Sequence, residues 1–255
     1  MFKKARSLVN PLRQAWLTYG HFLTNTVAPP VCLLCGGTGQ DGRNLDPPGA
    51  WGLDLCPHCE AACPAAAPEH LAAPRGIDRL RALFLYEPPV DELIQRLKFH
   101  HQLVSARVLG MLMAQAWHGT DLPQALVPVP LHAQRLRERG FNQAAEIGRH
   151  LAPRLKLPLL SGLLERQRNT AAQSGLAAAE RARNIAGAFR LKPGAVPPAH
   201  VALLDDVLTT GATAAAAASA LRQAGCGRVE LWVCARTPPP GPRSGRRSEH
   251  ADGFC

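Results

Sequence analysis

The chain has 255 residues, of which 46% are hydrophobic and 5% aromatic, and its formal net charge is +10. That length is enough for one full hydrophobic core and a small additional module. No stretch is long and apolar enough to cross a bilayer, and residues 1–30 lack the continuous apolar core of a secretory signal. The composition therefore argues against a membrane-spanning or secreted protein and predicts a cytoplasmic one.

Residues 1–30 are predicted to contain a basic helix. They carry a charge of +4 and no acid, and apolar residues from Phe2 to Phe22 fall near one face, although Pro11 interrupts the pattern. Such a helix is suited to nucleic acid or anionic lipid, and loose packing on the rest of the protein is an equal alternative.

Two Cys-x-x-Cys pairs lie within the module predicted for residues 31–74. Cys32 and Cys35 are separated by a Gly/Pro-rich gap of twenty residues from Cys56 and Cys59. Each pair has the ligand spacing of a zinc knuckle, and four thiolates complete a closed tetrahedral site, which is structural. Disulfides are the alternative, but they are rare in a reducing cytosol. We therefore predict a zinc ribbon, followed by an Ala/Pro linker that ends at residue 74.

Other candidate metal ligands receive plainer interpretations. His58 lies inside the second pair and is expected to be exposed, while Cys63 is a spare thiol without an assigned role. His100 and His101 are adjacent, and neighbours in sequence point apart on a helix. We expect capping or solvated roles for these two histidines.

Residues 75–237 are predicted to form an α/β domain. Arg79–Tyr86 alternates as a strand does, and Val90–Phe99 has apolar residues at helical spacing, with Lys98 at its end. Residues 228–235 form a last strand, with Cys226 and Cys234 as small buried hydrophobic residues. Residues 238–255 are dominated by Pro, Gly, Arg and Ser and are predicted to be a disordered tail.

A block of positive charge precedes the last part of this domain. Residues 131–190 carry +7, from eleven basic and four acidic side chains. Such an excess predicts a surface that faces pyrophosphate, nucleic acid or both, and a solvated basic surface is the plain alternative.

The block follows a short apolar strand that is predicted to begin near Ala125. A Pro-punctuated loop is predicted to follow, carrying Arg135, Arg137 and Arg139, before Gly140 opens a helix at Phe141–Leu151. Three arginines close to a strand end are suited to a diphosphate.

The stretch 201–213 joins a charge-free strand, 201–204, to two acids and a turn of small residues. An Ala-rich helix follows and can end at Gly225. Ligands of open α/β sheets lie at such strand ends, and the turn offers N–H groups and three hydroxyls to a phosphate. Asp205 and Asp206 suit sugar hydroxyls, or magnesium held through water. The alternative is an ordinary strand with an Asp-Asp helix cap.

This stretch resembles the signature of type I phosphoribosyltransferases, whose ligand is 5-phosphoribosyl pyrophosphate. The resemblance implies a binding set made of Asp205, Asp206, Val207, Leu208, Thr209, Thr210, Gly211, Ala212 and Thr213. In this set the acids meet the ribose 2- and 3-hydroxyls, the turn wraps the 5-phosphate, and magnesium accompanies the ligand. The implied fold is an α/β open, mostly parallel sheet of the type I phosphoribosyltransferase kind, with helices on both faces, preceded by the zinc ribbon.

A second resemblance is narrower. Val127-Pro-Val-Pro, with His132, Arg135 and Arg139-Gly-Phe-Asn-Gln143, is similar to the hallmark of the ComF family, phosphoribosyltransferase-like proteins associated with DNA uptake in natural transformation. Residues 164–189, rich in Arg, Gln and Asn, resemble the same family's next stretch. They are expected to be a mobile polar lid over an anionic ligand, or else a solvated linker with a short helix.

Two functions remain open. In the first, the chain handles single-stranded DNA during uptake, with phosphoribosyl pyrophosphate as ligand or regulator; the resemblance also implies a DNA-uptake helicase as partner. In the second, it is an active phosphoribosyltransferase, a glycosyltransferase acting on an unidentified acceptor. Donors and magnesium around pyrophosphate would then stabilise the charge of the leaving group. The catalytic candidates are Arg135, Arg139, Asp205 and Asp206.

Overall fold

The structure is a computed structural model that describes residues 31–37, 54–168, 185 and 187–238. The predicted basic helix in residues 1–30 lies outside these ranges, as do residues 169–184 of the predicted lid and 239–255 of the predicted tail. Among the described residues, no helix has the length and apolar character needed to cross a membrane.

Helices and strands alternate along most of the described chain. The helices are α1 (Pro57–Ala61), α2 (Val90–Phe99), α3 (Leu103–Trp117), α4 (Ala133–Arg139), α5 (Gln143–Leu155) and α6 (Ala212–Gln223). The strands are β1 (Arg79–Leu85), β2 (Ala125–Pro128), β3 (Leu164–Arg166), β4 (Phe189–Leu191), β5 (His200–Leu208) and β6 (Arg228–Arg236).

A parallel sheet in the order β1-β6-β5-β2 organises the molecule. The central strands β5 and β6 pair from His200 opposite Arg228 to Leu208 opposite Arg236. Residues 201–204 are fully buried, as expected for a parallel strand covered on both faces. Because all four strands are parallel, their carboxyl ends lie along one edge of the sheet.

Both faces of the sheet are covered. On one face, α2, α3 and α5 bury a core that includes Leu97, Ile147 and Trp232. On the other face, α6 and the antiparallel ribbon of β3 and β4 bury a second core, which includes Leu203 and Leu221. The predicted α/β class, with a mostly parallel sheet and helices on both faces, is confirmed.

Several predicted elements have the expected bounds. The helix predicted at Val90–Phe99 is α2, and the strand predicted from Arg79 is β1. The Ala-rich helix is α6, and Gly225 follows it with φ 95°. Cys226 and Cys234 are buried, as predicted.

The prediction that Arg135, Arg137 and Arg139 lie on a loop is wrong, because residues 133–139 form α4. Ala, Gln, Leu, Arg and Glu are good helix formers, and His132 caps the helix by accepting a hydrogen bond from the Gln134 N–H. Gly140 ends α4 with φ 72° instead of opening the next helix, which begins after Asn142. Side chains four residues apart share a helix face, so Arg135 and Arg139 project together and Arg137 does not.

The two acids lie within β5, which continues to Leu208. The cap of α6 is Gly211, and no side chain caps that helix end, so the Asp-Asp cap considered as an alternative is wrong. Gly211 has φ 77°, and an added Cβ would lie 2.7 Å from Pro74 Cβ. The turn therefore requires glycine at this position.

The cysteine-rich segment packs against the sheet domain. Cys32, Leu55 and Cys59 belong to the core that α2, α3 and α5 form. Polar contacts reinforce this packing, since Arg96 donates to the Leu33 carbonyl and Arg107 pairs with Asp54. Part of the predicted linker is also paired, because the Ala66 N–H donates to the Leu83 carbonyl at 3.0 Å.

Candidate functional site

The predicted phosphate turn lines a small recess at the carboxyl edge of the sheet. Residues 207–214 surround a cavity of about 40 Å³ together with Asp205 and two residues of β6. Thr209 and Thr210 are exposed, and the turn leads directly into the first turn of α6. Free N–H groups at a helix start carry partial positive charge, so the recess presents hydrogen-bond donors to a ligand.

A larger cavity of about 170 Å³ adjoins this recess, and Asp205 and Thr213 line both. Its other lining residues are Lys98, Val129, Pro130, Leu131, Arg135, Arg139, Asn142, Gln143, Ala144, Arg166 and Asp206. The structure therefore brings together the four predicted catalytic residues, which come from α4 and β5. It also brings Thr213 of the predicted binding set to the same cavity.

Arg135 and Arg139 enter the cavity as a pair, whereas Arg137 is exposed and lies outside its lining. Arg166 reaches the same space from β3 and lies over the Phe189 ring, 5.6 Å from its centroid. Burial, and then the charge of Arg135, lower the pKa of Arg166. Cations crowded at one cavity repel one another, and an anionic ligand would relieve that repulsion.

The two neighbouring acids have different environments. Asp206 is 8% exposed, and its Oδ2 lies 3.0 Å from Lys98 Nζ. Asp205 lines both cavities, and burial, followed by the charge of Asp206, raises its pKa to about 7. The Asp206 N–H donates to Asp205 Oδ1 at 2.9 Å, and Lys98 and Arg166 also act against that rise. Asp206 is therefore held by an ion pair, while Asp205 is poised to change protonation near neutral pH.

This difference predicts a pH-dependent effect of Asp205→Asn. The folded protein retains the Asp205 proton to higher pH than the unfolded chain, so this group lowers stability as pH rises from about 4 to about 7. The rise from the ordinary value of 3.8 to about 7 is about three pKa units, each worth about 1.4 kcal/mol. We therefore expect the variant to be more stable than the parent by about 4 kcal/mol at pH 8. The advantage should vanish near pH 4 in urea unfolding.

Asp121→Asn is the control for this measurement, because Asp121 is an acid with a 64% exposed side chain that pairs with Arg228, a residue at the start of β6. It should show no comparable change between pH 4 and pH 8. An equal gain for Asp205→Asn at pH 4 would contradict the raised pKa of Asp205, because Asp205 of the folded parent is protonated and uncharged at that pH.

Two amide side chains complete the larger cavity. Gln143 is 2% exposed; its Oε1 accepts from Arg139 Nη1 at 3.2 Å, and its Nε2 has no partner among the described residues. A buried donor without a partner is costly, so the Gln143 amide is available to a ligand of the cavity. Asn142 braces the wall, because its Nδ2 donates to the Val129 carbonyl at 2.9 Å while its Oδ1 caps α5.

Sequence reasoning did not predict Lys98, Gln143 and Arg166 as site residues. The sequence pattern places Lys98 only near the end of a helix. In the structure, its contact with Asp206 joins α2 to β5. Gln143 belongs to the Arg-Gly-Phe-Asn-Gln run and Arg166 to the arginine-rich stretch, so both carried a signal. The motifs mark these stretches of sequence, but they do not show which side chain enters the cavity.

The four predicted metal ligands converge. The Sγ atoms of Cys32, Cys35, Cys56 and Cys59 all lie within 4.8 Å of one another, and Cys35 Sγ is 3.8 Å from Cys56 Sγ. Zn–S bonds of about 2.3 Å in a tetrahedron place neighbouring sulfurs about 3.8 Å apart, so the cluster fits one such ion. The described cysteines are free thiols, which disagrees with the disulfide alternative.

Backbone donors stabilise these thiols as metal ligands. The Gly37 N–H lies 3.4 Å from Cys35 Sγ, and the Cys59 N–H lies 3.5 Å from Cys56 Sγ. Cys63 stands apart from the cluster, since its Sγ donates to the Cys59 carbonyl at 3.3 Å. His58 is exposed, as predicted.

The fold and the site define an α/β protein with a cation-lined cavity at the carboxyl edge of a parallel sheet, and with a separate cluster of four cysteines that could hold a metal ion. The chain is similar in sequence to several proteins whose names refer to competence or DNA utilization. The chain is 36% identical over 167 residues to Competence protein F of Haemophilus influenzae, covering 62% of this chain and 73% of that protein. It is 37% identical over 196 residues to DNA utilization protein YhgH of Salmonella typhimurium, covering 72% and 85%.

A third relative is Competence protein ComFC of Streptococcus pneumoniae, which is 27% identical over 156 residues, or 61% of this chain and 67% of that protein. No family model matches the sequence. The identities and coverage of the first two relatives are sufficient to assign the family. The chain belongs to the ComF family.

Proposed function

We propose that this protein acts in DNA uptake or DNA utilization and binds 5-phosphoribosyl pyrophosphate with magnesium in its carboxyl-edge cavities. One observation supports this choice of ligand. The recess formed by the phosphate turn adjoins the cation-lined cavity, and Asp205 and Thr213 line both. A ligand with a phosphate at one end, a diol in the middle and a diphosphate at the other end matches that order. Phosphoribosyl pyrophosphate has this arrangement.

Each part of the ligand has complementary chemistry in the site. The 5-phosphate would accept from the N–H groups and hydroxyls of residues 209–213, beside the start of α6. The ribose hydroxyls would donate to Asp205 and Asp206. The diphosphate would lie against Arg135 and Arg139, whose forked donors suit phosphate oxygens.

Magnesium fits the same donor set. The ion prefers oxygen ligands and keeps several of its waters, so Asp205 and Asp206 would hold it through water while the diphosphate binds it directly. When bound, it would neutralise part of the diphosphate charge. Lys98 Nζ, at 3.0 Å from Asp206 Oδ2, fixes that acid in position.

Zinc is the metal that we propose for the four cysteines, because tetrahedral thiolate sites favour it. Its role is structural, since four protein ligands leave no open position. We propose a zinc module at residues 31–74 and a phosphoribosyl-pyrophosphate-binding domain at residues 75–237. We also propose a cytoplasmic location, because the four cysteine thiols would stay reduced there.

The DNA-related role is supported by the names of the relatives, which refer to competence and DNA utilization. The charge of +7 on residues 131–190 supports single-stranded DNA as the polymer that is bound. A DNA-uptake helicase is the protein partner that we propose for this activity.

Protection against heat unfolding tests the ligand assignment. The wild-type protein with magnesium should unfold at a higher temperature when phosphoribosyl pyrophosphate is added, since a ligand at about 100 times its Kd stabilises by about 2.7 kcal/mol. Ribose 5-phosphate and inorganic pyrophosphate, each containing one end of the ligand, should protect less. Equal unfolding temperatures with and without phosphoribosyl pyrophosphate would refute the assignment.

Transfer is the second candidate function. It is supported by Asp205, which lines both cavities and, in the proposed binding mode, would lie between the ribose and the diphosphate. An assay of magnesium-dependent pyrophosphate release, with bases, amines and nucleic acid ends as acceptors, separates turnover from binding. Release that Asp206→Asn and Thr210→Val reduce would establish transfer.

A further inference from the structure

An aromatic ring lies exposed beside the larger cavity. Phe99, the last residue of α2, is 64% exposed and is not among the residues that line the cavity. It directly follows Lys98, whose ammonium pairs with Asp206 inside the cavity. Of the large hydrophobic side chains that are exposed in the described part of the chain, Phe99 is the one aromatic. A single exposed apolar residue is common on protein surfaces, so the groups around Phe99 decide whether it is a candidate for contact with a ligand.

A cation lies over this ring, and a second aromatic contact involves residues close to both partners in sequence. The guanidinium of Arg139 lies over Phe99, with Cζ 5.7 Å from the ring centroid, and the same side chain lines the cavity. His101 follows Phe99 by two residues and Phe141 follows Arg139 by two, and the rings of His101 and Phe141 meet edge to face with centroids 5.6 Å apart. We call Phe99, His101, Arg139 and Phe141 the aromatic rim.

We propose that the aromatic rim stacks a nucleobase of single-stranded DNA on Phe99 while an adjacent phosphate binds Arg139. The proposal deepens the DNA-binding part of the proposed function and rests on it. A flat aromatic side chain beside a cation is the arrangement with which proteins bind single strands without base selectivity. Bases of a duplex are stacked on one another and have no free face for Phe99, so the rim favours single strands.

The open position of the ring favours a strand over an enclosed small molecule. A pocket that selects a free base surrounds it and satisfies its edges with hydrogen bonds. Phe99 instead lies outside the cavity lining and is 64% exposed, which suits a polymer passing along the surface. The +7 charge of residues 131–190, which include Arg139, complements a polyanion.

Binding of a labelled oligodeoxythymidylate to Phe99→Ala tests the proposal. We expect its affinity to fall about tenfold, because the variant loses the stacking of one base on the ring. The slope of log affinity against log salt should not change, since no cation is removed. An abasic strand of the same length should bind wild type and variant equally. Phe99→Trp, which enlarges the stacking face, should restore thymidylate binding.

Val196→Ala is the matched control, because Val196 is 84% exposed and lies on the connection that leads to the amino end of β5. It should bind thymidylate as the wild type does. Equal thymidylate binding by Phe99→Ala and wild type overturns the proposal, and so does an equal loss for the abasic strand. A change in sedimentation of Phe99→Ala with unchanged thymidylate binding would assign the rim to self-association instead.

Failure of this proposal is distinguishable from failure of the ligand assignment. Heat protection of the wild-type protein by phosphoribosyl pyrophosphate does not involve the thymidylate probe. If phosphoribosyl pyrophosphate gives no heat protection but Phe99→Ala binds thymidylate tenfold more weakly, the ligand assignment is refuted and the role of the aromatic rim is supported. With protection and no such loss, the ligand is supported and the rim is refuted.

Discussion

Replacing Cys35 by serine is expected to remove bound zinc and to destabilise the protein by about 3 kcal/mol or more, because metal-binding free energy in such sites is folding free energy. Cys35 is the exposed member of the four-thiol cluster, so its substitution changes the proposed zinc site with little direct effect on the core. The wild-type protein should contain one zinc per chain by elemental mass spectrometry. A chelator should lower its unfolding temperature to that of the variant.

The loss should extend beyond the cysteine segment, because Cys32 and Cys59 belong to the core beneath α2 and α3. Cys63→Ser is the matched control: this thiol is buried but donates to the Cys59 carbonyl, and a hydroxyl can make the same bond. That variant should retain its zinc. Full zinc content in Cys35→Ser would contradict the assignment of the ligand set.

Local pattern was sufficient to predict the sheet domain. The apolar run at residues 201–204, the helical spacing of Val90–Phe99 and the Ala-rich helix α6 are properties of neighbouring residues, and each element formed where expected. The cysteine pairs belong to the same kind of signal, because a Cys-x-x-Cys spacing already fixes two ligands on one knuckle. The structure adds that the two pairs meet.

The conformation of residues 133–139 was not predictable in the same way. Proline residues before it suggested a loop, while its own composition favoured a helix, and the His132 cap decided the outcome. The error changed the site, since three arginines in a loop could all face a diphosphate. Of the three arginines on α4, only Arg135 and Arg139 line the cavity.

Contacts between distant parts of the chain were beyond sequence reasoning. Lys98 meets Asp206 because α2 and β5 both deliver residues to the carboxyl edge of the sheet. Arg166 reaches the cavity from the ribbon of β3 and β4. Burial, and then the charge of Asp206, raise the pKa of Asp205, while Lys98 and Arg166 oppose that rise. The different environments of the two acids therefore have no signal in the Asp-Asp pair itself.

Removing both Arg135 and Arg139 is expected to abolish heat protection by phosphoribosyl pyrophosphate with magnesium. Hydrogen bonds to charged groups contribute about 1.5–3 kcal/mol each, so the double alanine variant should weaken Kd by about 100-fold or more. The two side chains enter the cavity from one face of α4, and Arg139 also holds Gln143. The free protein should remain folded, since α4 buries no residue.

A double variant of equal charge separates this effect from general electrostatics. Arg137 is exposed on the same helix, and Arg149 has a 67% exposed side chain on α5; neither lines the cavity. Arg137→Ala with Arg149→Ala should keep the protection. Equal loss in both double variants would mean that net charge, not the cavity, attracts the ligand. Protection that survives in Arg135→Ala with Arg139→Ala would place the diphosphate elsewhere, because the remaining cavity cations, Lys98 and Arg166, are engaged with Asp206 and Phe189.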